Sequence, residues 1–332
     1  MNDSGRSGGE ATEDGGGDSL ITVIIAFAAN LLIAIAKSVA ASLTSSASML
    51  AEAAHSWADT GNEIFLLIAE RKSDRGRDVQ HPMGYGRDAY VWSMFAAFGL
   101  FTAGAVVSIS HGISELRHPE PATDYPIAYA VLAIAFVLEG ISFLQAFRQT
   151  RAKAGRVRRR HFSYVLNTSN PTLRAVFFED ASALVGLLIA GAGIGLHQVT
   201  GSPVPDAIGS ILVGVLLGVI AVVLINRNRR FLIGERVPAD IRNVALVLLL
   251  ADPQIKRVTY LHLEYVGPEQ IYLVAAVDLT GDAVEHDVAR RLRAIERRLE
   301  ERPVIVEAVL TLATPEEQSL VPDEGTPPSQ LL

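Results

Sequence analysis

The stretch SSASMLAEAAHSWADTGNEIFLL, residues 45–67, decides how this chain is read. It is long and apolar enough at its edges to cross a bilayer, yet it carries Glu52, His55, Asp59, Asn62 and Glu63. At 100° per residue these five fall within an arc of about 100°, a single polar stripe on one helix face. A charged side chain at the centre of a bilayer costs roughly 2.5–3.5 kcal/mol or more, so such a stripe faces a polar cavity with work to do there. His55 and Asp59 stand one helical turn apart and can share one ion.

Five other stretches surround it. A helix needs about 20 mostly apolar residues to cross the hydrocarbon layer, and 20–38, 89–113, 125–147, 175–198 and 204–226 qualify beside the polar span at 46–69. The expected fold is therefore an α-helical membrane protein of six transmembrane helices over residues 20–230. Lys and Arg mark the cytoplasmic side. They crowd the loops after the second span (Arg71, Lys72, Arg75, Arg77, Arg87), after the fourth (RAKAGRVRRR, 151–160) and after the sixth (Arg227, Arg229, Arg230, Arg236). The opposite loops hold only Lys37 and Arg117 by this reading. The chain is thus expected to be multi-pass in a cell membrane, with both termini cytoplasmic.

Residues 237–313 read as a small soluble α+β domain in the order α-β-β-α-β, ferredoxin-like, on the cytoplasmic side. VTYLHLEYV (258–266) and QIYLVAAVDL (270–279) flank a Gly267-Pro268 turn, which predicts a hairpin. The Gly-, Ser- and acid-rich residues 1–19 lack the basic start of a signal peptide and, like 314–332, are expected to be disordered. The sequence of 332 residues is 49% hydrophobic and 20% charged, with a net charge of −7. That balance excludes an electrostatic nucleic-acid binder. With no cysteine, disulfides and thiolate metal sites are excluded too, so a metal must be held by His, Asp and Glu.

The fifth span, TLRAVFFEDASALVGLLIAGAGIG (172–195), adds Glu179 and Asp180, followed by small residues that let helices approach closely. One histidine with carboxylates suits zinc, and manganese prefers a more oxygen-rich shell. Other buried acids read otherwise. For Glu139 in the fourth span a helix-packing hydrogen bond is as good a reading as ligation. Glu52 and Glu63 read as structural or water-facing vestibule residues, and Asp206 as the N-cap of the sixth span. There is no GxxxxGK[ST] phosphate loop, so nothing points to ATP. No resident cofactor is expected.

HSWADTGNE (55–63), HPMGYG (81–86), LEG (138–140), FFEDASALVG (177–186) and GSPVPDAIGSILVGVLLG (201–218), in this order, resemble the cation diffusion facilitator family, in the branch of the animal mitochondrial zinc transporter. The resemblance implies a homodimeric metal/proton antiporter that exports a divalent transition metal, zinc first. It implies a transport site at His55, Asp59 and Asp180. The family's usual partner one turn before Asp180 is Val176 here, which leaves Glu179, Glu139 or a water as the fourth ligand. The family's loop site matches Asp78 and His81, with Tyr85 in its third place. Its C-terminal metal pair matches only His286, since Ala275 holds the second-strand position and His262 lies in another register. Two other classes are open to the same residues: an intramembrane metal-dependent hydrolase, and a cation channel.

Overall fold

A computed structural model describes residues 15–119, 124–156 and 161–323. Of the tails expected to be disordered, residues 1–14 and 324–332 lie outside the described residues, whereas residues 15–19 are helical and open the first helix. Helix α1 (Gly15–Thr44) leads into α2 (Ala47–Ser73). Next, α3 (Asp88–Ala96) runs through a π-helical turn (Ala97–Phe101) into α4 (Thr102–Arg117), one continuous span. α5 (Tyr125–Arg156), the short α6 (His161–Asn167), α7 (Pro171–Thr200) and α8 (Val204–Leu232) complete the bundle. Among the described residues four of these helices are long and apolar enough to cross a membrane: Asp88–Arg117, Tyr125–Gly155, Pro171–Thr200 and Val204–Leu232. Within α1 the stretch Asn30–Thr44 adds a shorter apolar helix. α2 has the length but not the hydropathy, because its polar stripe replaces apolar residues.

That stripe does not meet lipid. α2 packs against α1, α4, α7 and α8, and α1 and α7 also pack against α5. Its N-terminal end is fixed by three acceptors. Ser46 Oγ accepts from the Met49 amide at 3.2 Å, and the Asp206 carboxylate accepts from Ala47 and Ser48 amides at 2.9 and 3.2 Å. These amides have no partner inside the helix. Asp206 was expected to cap its own helix, but the cap of α8 is Pro203 and makes no side-chain bond. Asp206 instead reaches across to cap α2, where a negative charge also complements the helix dipole. The expectation for Lys37 is corrected as well. α1 continues to Thr44 rather than ending near residue 38, so Lys37 sits inside the bundle, 1% exposed.

The C-terminal domain follows the expected order: α9 (Ala239–Leu250), β1 (Ile255–Gly267), β2 (Gln270–Leu279), α10 (Glu285–Glu300) and β3 (Ile305–Leu312). β1 and β2 form an antiparallel hairpin, and β3 joins β2 in parallel, giving the order β1-β2-β3. Leu246 and Leu249 of α9, Ile295 of α10, and Val258, Leu273 and Val277 of the sheet form the core. Residues 314–323 were expected to be disordered with the rest of the tail, but backbone bonds tie them down. The Leu320 amide donates to Val258 O at 2.7 Å, and Asp323 and Asn243 exchange two hydrogen bonds. The domain is keyed to the bundle by Tyr265 of β1 edge-on to Phe231 of α8 (5.6 Å), by an Arg87–Glu264 bridge of 2.6 Å and by a Lys153–Glu269 bridge of 3.1 Å.

Removing the shared cap tests this frame. Asp206→Ala leaves two buried amides unsatisfied, a loss of roughly 1–3 kcal/mol, and lowers the apparent unfolding midpoint in detergent. Asp206→Asn, which keeps an acceptor, retains most of the stability. Equal midpoints for all three proteins would contradict the cross-helix cap.

Candidate metal centre

His55 Nε2 lies 3.4 Å from Asp59 Oδ1 along α2, and both residues are buried. The same ring nitrogen is 3.4 Å from Ser182 Oγ of α7. This contact shows that α2 and α7 face each other at the stripe. The two α7 acids do diverge, as adjacent helix positions must, yet both stay in the polar region because different helices serve them. Asn62 of α2 donates to Glu179 at 2.6 Å, and Ser142 of α5 donates to Asp180 at 2.9 Å. Glu139, one turn before Ser142, lines the same space.

That space is a cavity of about 70 Å³ lined by Asn30, Ile33, Ser56, Asp59, Glu63, Leu66, Glu139, Ser142, Val176, Glu179 and Asp180. Asp59, Asp180, Glu179 and Glu139, the candidates named from the sequence, all border it. His55 borders Asp59 instead. A larger cavity of about 320 Å³ lies beside it, lined by Glu70, Asp74, Lys153, Asn170, Pro268 and Gln270 among others. Val176 lines both, so the position where the sequence departs from the family pattern it resembles lies between the polar pocket and the space next to the C-terminal domain.

Several buried donor atoms here have no hydrogen-bond partner: Asp59 Oδ1, His55 Nδ1, Ser56 Oγ, Glu63 Oε2 and Glu52 Oε1. Buried polar atoms are satisfied in the great majority of cases, so a cluster of bare ones marks a place built for something else. Imidazole nitrogen with carboxylate oxygens is a zinc-type donor set. Among the described residues, however, no group of three or more His, Asp or Glu is gathered closely enough to chelate. The acids ring the cavity while neutral donors from neighbouring helices hold them.

Sequence reasoning named Asn62 but missed the neutral donors Ser142 and Asn30. Ser142 and Asn30 look like ordinary small polar residues in apolar spans. Yet Asn30 Nδ2 donates to Glu63 at 2.5 Å, and its helical register opposite the stripe is the only signal for it. Glu52 does not meet water, because it pairs with Lys37 and is 0% exposed.

The loop candidates form a tight turn. Asp78 Oδ1 accepts from the Gln80 and His81 amides at 2.9 and 2.7 Å, and Tyr85 donates to Oδ2 at 2.7 Å. The Tyr85 hydroxyl and the His81 amide hold the Asp78 carboxyl below its ordinary pKa. His81 Nδ1 lies 3.3 Å away, in an exposed setting. In the C-terminal domain His286 is exposed beside Asp287, His262 lies 3.8 Å from Glu264, and Ala275 is buried in the sheet.

Residues 23–233 match the family model of the cation efflux transmembrane domain. The chain is 35% identical over 262 residues to the proton-coupled zinc antiporter SLC30A9, mitochondrial, of Xenopus laevis, covering 79% of this chain and 47% of that protein. It is 34% identical over 248 residues to metal tolerance protein C4 of Arabidopsis thaliana, covering 75% and 54%. A third similarity, 21% over 277 residues, is to magnetosome protein MamB of Paramagnetospirillum magneticum. The chain spans about half the length of the first two relatives.

Calorimetry with zinc on purified Asp180→Asn, Glu179→Gln and Glu139→Gln ranks the acids of the cavity. Asp180→Asn is expected to weaken binding most, by roughly 10–100-fold, and Glu139→Gln least. If Glu139→Gln proved the most damaging, α5 would supply a main ligand instead.

Proposed function

The chain belongs to the cation efflux, or cation diffusion facilitator, family, and from that premise we propose that it exports a divalent transition metal, zinc first, from the cytoplasm in exchange for protons. The observation that carries this reading is the acid-lined cavity enclosed by apolar helices, with a buried imidazole at its edge. His55, Asp59 and Asp180 are the proposed metal ligands, and Glu179 or Glu139 the fourth. Drawing them onto one ion requires side-chain rotation away from Asn62 and Ser142.

Proton coupling follows from the ligand chemistry. A metal binds neutral imidazole and ionised carboxylates, so its arrival expels protons and their return expels it. Histidine is suited to this exchange because its charge changes near physiological pH. A pH gradient can therefore drive the cycle as the site alternates its access between the two sides of the membrane. The relatives named as proton-coupled zinc antiporters support this reading over a channel, and family membership supports a transporter over a hydrolase.

The Asp78–His81 turn is proposed as structural, since hydrogen bonds already occupy the Asp78 oxygens. Orientation follows the basic loops: both termini are cytoplasmic in a cell membrane, with the C-terminal domain beneath. Moving Lys37 into the bundle sharpens that asymmetry. The short three-stranded sheet of the C-terminal domain supports assembly as a homodimer.

Zinc-loaded proteoliposomes with an acidic exterior separate the alternatives. The proposal expects zinc efflux that slows when the pH gradient is collapsed, and Asp59→Ala is expected to abolish it without changing the thermal midpoint. Flux indifferent to the gradient would indicate a channel. Normal rates in Asp59→Ala would remove that residue from the site.

A further inference from the structure

The link between α8 and α9, residues 233–238, runs beside β1, where Arg236 forms an isolated antiparallel bridge with Glu264. Between this link, the first turn of α9 and β1 lies a cavity of about 380 Å³ that shares no lining residue with the acidic pocket among the spans. Three basic side chains line it: Arg236 from the link, Arg242 from α9 and His262 from β1. Two acids line it as well, and both are already paired. Arg230 grips Glu235 through two bonds of 2.7 and 2.6 Å. Arg87 holds one oxygen of Glu264 at 2.6 Å, and His262 stands 3.8 Å from the other. Glu317, which takes the Thr259 hydroxyl at 2.6 Å, is outside the lining.

Arg236 and Arg242 have no such partners. Among the described residues neither guanidinium forms an ion pair or a hydrogen bond, although the chain has 36 acidic residues for 29 Lys and Arg. Arg242 Nε is buried too, and a buried donor without an acceptor forfeits about 1–3 kcal/mol. Arginine cannot shed its proton to escape that cost. Two permanent cations thus face a cavity whose own acids are spent.

We propose that this cavity binds an anion bearing a phosphate group, held by Arg236 and Arg242 with His262 at its edge. The site is independent of the metal centre. A guanidinium fork donates two parallel bonds to phosphate, a geometry that lysine cannot reproduce. Two such forks on different elements match a dianion with several oxygens, whereas a carboxylate satisfies one fork. The volume leaves room for a substituent on the phosphate. Two sources offer this chemistry. The link continues directly from the last span, which places lipid headgroups nearby, and soluble phosphate esters carry the same group. Either ligand would join the link to β1 and brace the C-terminal domain against α8.

Calorimetry on the purified full chain in phosphate-free buffer, with inorganic phosphate and glycerol phosphate, probes the soluble source. Nanodiscs of phosphatidylcholine with and without phosphatidic acid, read by native mass spectrometry, probe the lipid. The unaltered protein is expected to bind at least one of these probes. Arg236→Gln and Arg242→Gln are each expected to weaken that binding roughly 10–100-fold, the worth of one charge-assisted bond. Arg290→Gln, on the exposed face of α10, is expected to leave it unchanged. Without ligand, the two cavity variants are expected to melt no lower than the unaltered protein, since each removes an uncompensated charge. Binding of soluble phosphate supports the site and assigns a phosphate ester; retention of phosphatidic acid alone supports it and assigns a headgroup. Failure of every probe to bind, binding that survives Arg236→Gln/Arg242→Gln, or an equal loss in Arg290→Gln would overturn the proposal.

Discussion

Hydrocarbon offers a charged side chain no water, so every charge inside the bundle must find a partner in the protein or face a shared polar space. α2 brings Glu52, His55, Asp59 and Glu63 into that medium on one helix face, and much of the surrounding architecture answers them. Lys37 approaches from α1, Asn30 from the same helix serves Glu63, Ser142 from α5 and Ser182 from α7 serve the centre, and Asp206 from α8 secures the helix end. Small residues on α7 let these helices come close enough. Gly186 meets Glu52 and His55, and a Cβ at Gly193 would stand 3.0 Å from Ser48 Oγ. The fold is in this sense a set of partners arranged around one polar stripe.

Along that stripe the charges are layered. An ion pair at Lys37–Glu52 is followed by the His55–Asp59 pair, and then by the cavity with Glu63, Glu139, Glu179 and Asp180. Acidic groups outnumber basic ones toward the cavity, so it offers oxygen ligands to a divalent cation that displaces their protons. Neutral donors such as Asn62 and Ser142 bind the acids by hydrogen bonds that rotation can break. Such a site can be emptied, as transport requires.

Much of this was legible in the sequence, and the failures have a common cause. The stripe at 45–67, the acids of α7 and the α-β-β-α-β order all depend on local period and composition, which a single chain displays. His55 and Asp59 are neighbours because an α-helix makes i and i+4 neighbours. Lys37, Asp206 and Ser142 were misplaced or overlooked because their roles come from another helix. Lys37 looked like a loop charge because it stands near the end of the most apolar part of α1, and only Glu52 across the interface shows why it is buried. Asp206 looked like a cap, and it is one, but for α2. The 314–323 segment has a disordered composition, yet its backbone finds acceptors and donors on β1 and α9. Cross-element pairing leaves no periodic trace in sequence.

The central claim is that one imidazole and at least two carboxylates converge on a cation between α2 and α7. Anomalous scattering at the zinc edge from the zinc-loaded protein tests it most directly. The account predicts a peak beside the acidic cavity, about 2.0–2.2 Å from His55 Nε2 and from Asp59 and Asp180 oxygens. A fully loaded protein whose zinc sits elsewhere, with the His55 ring bound to no ion, would contradict it.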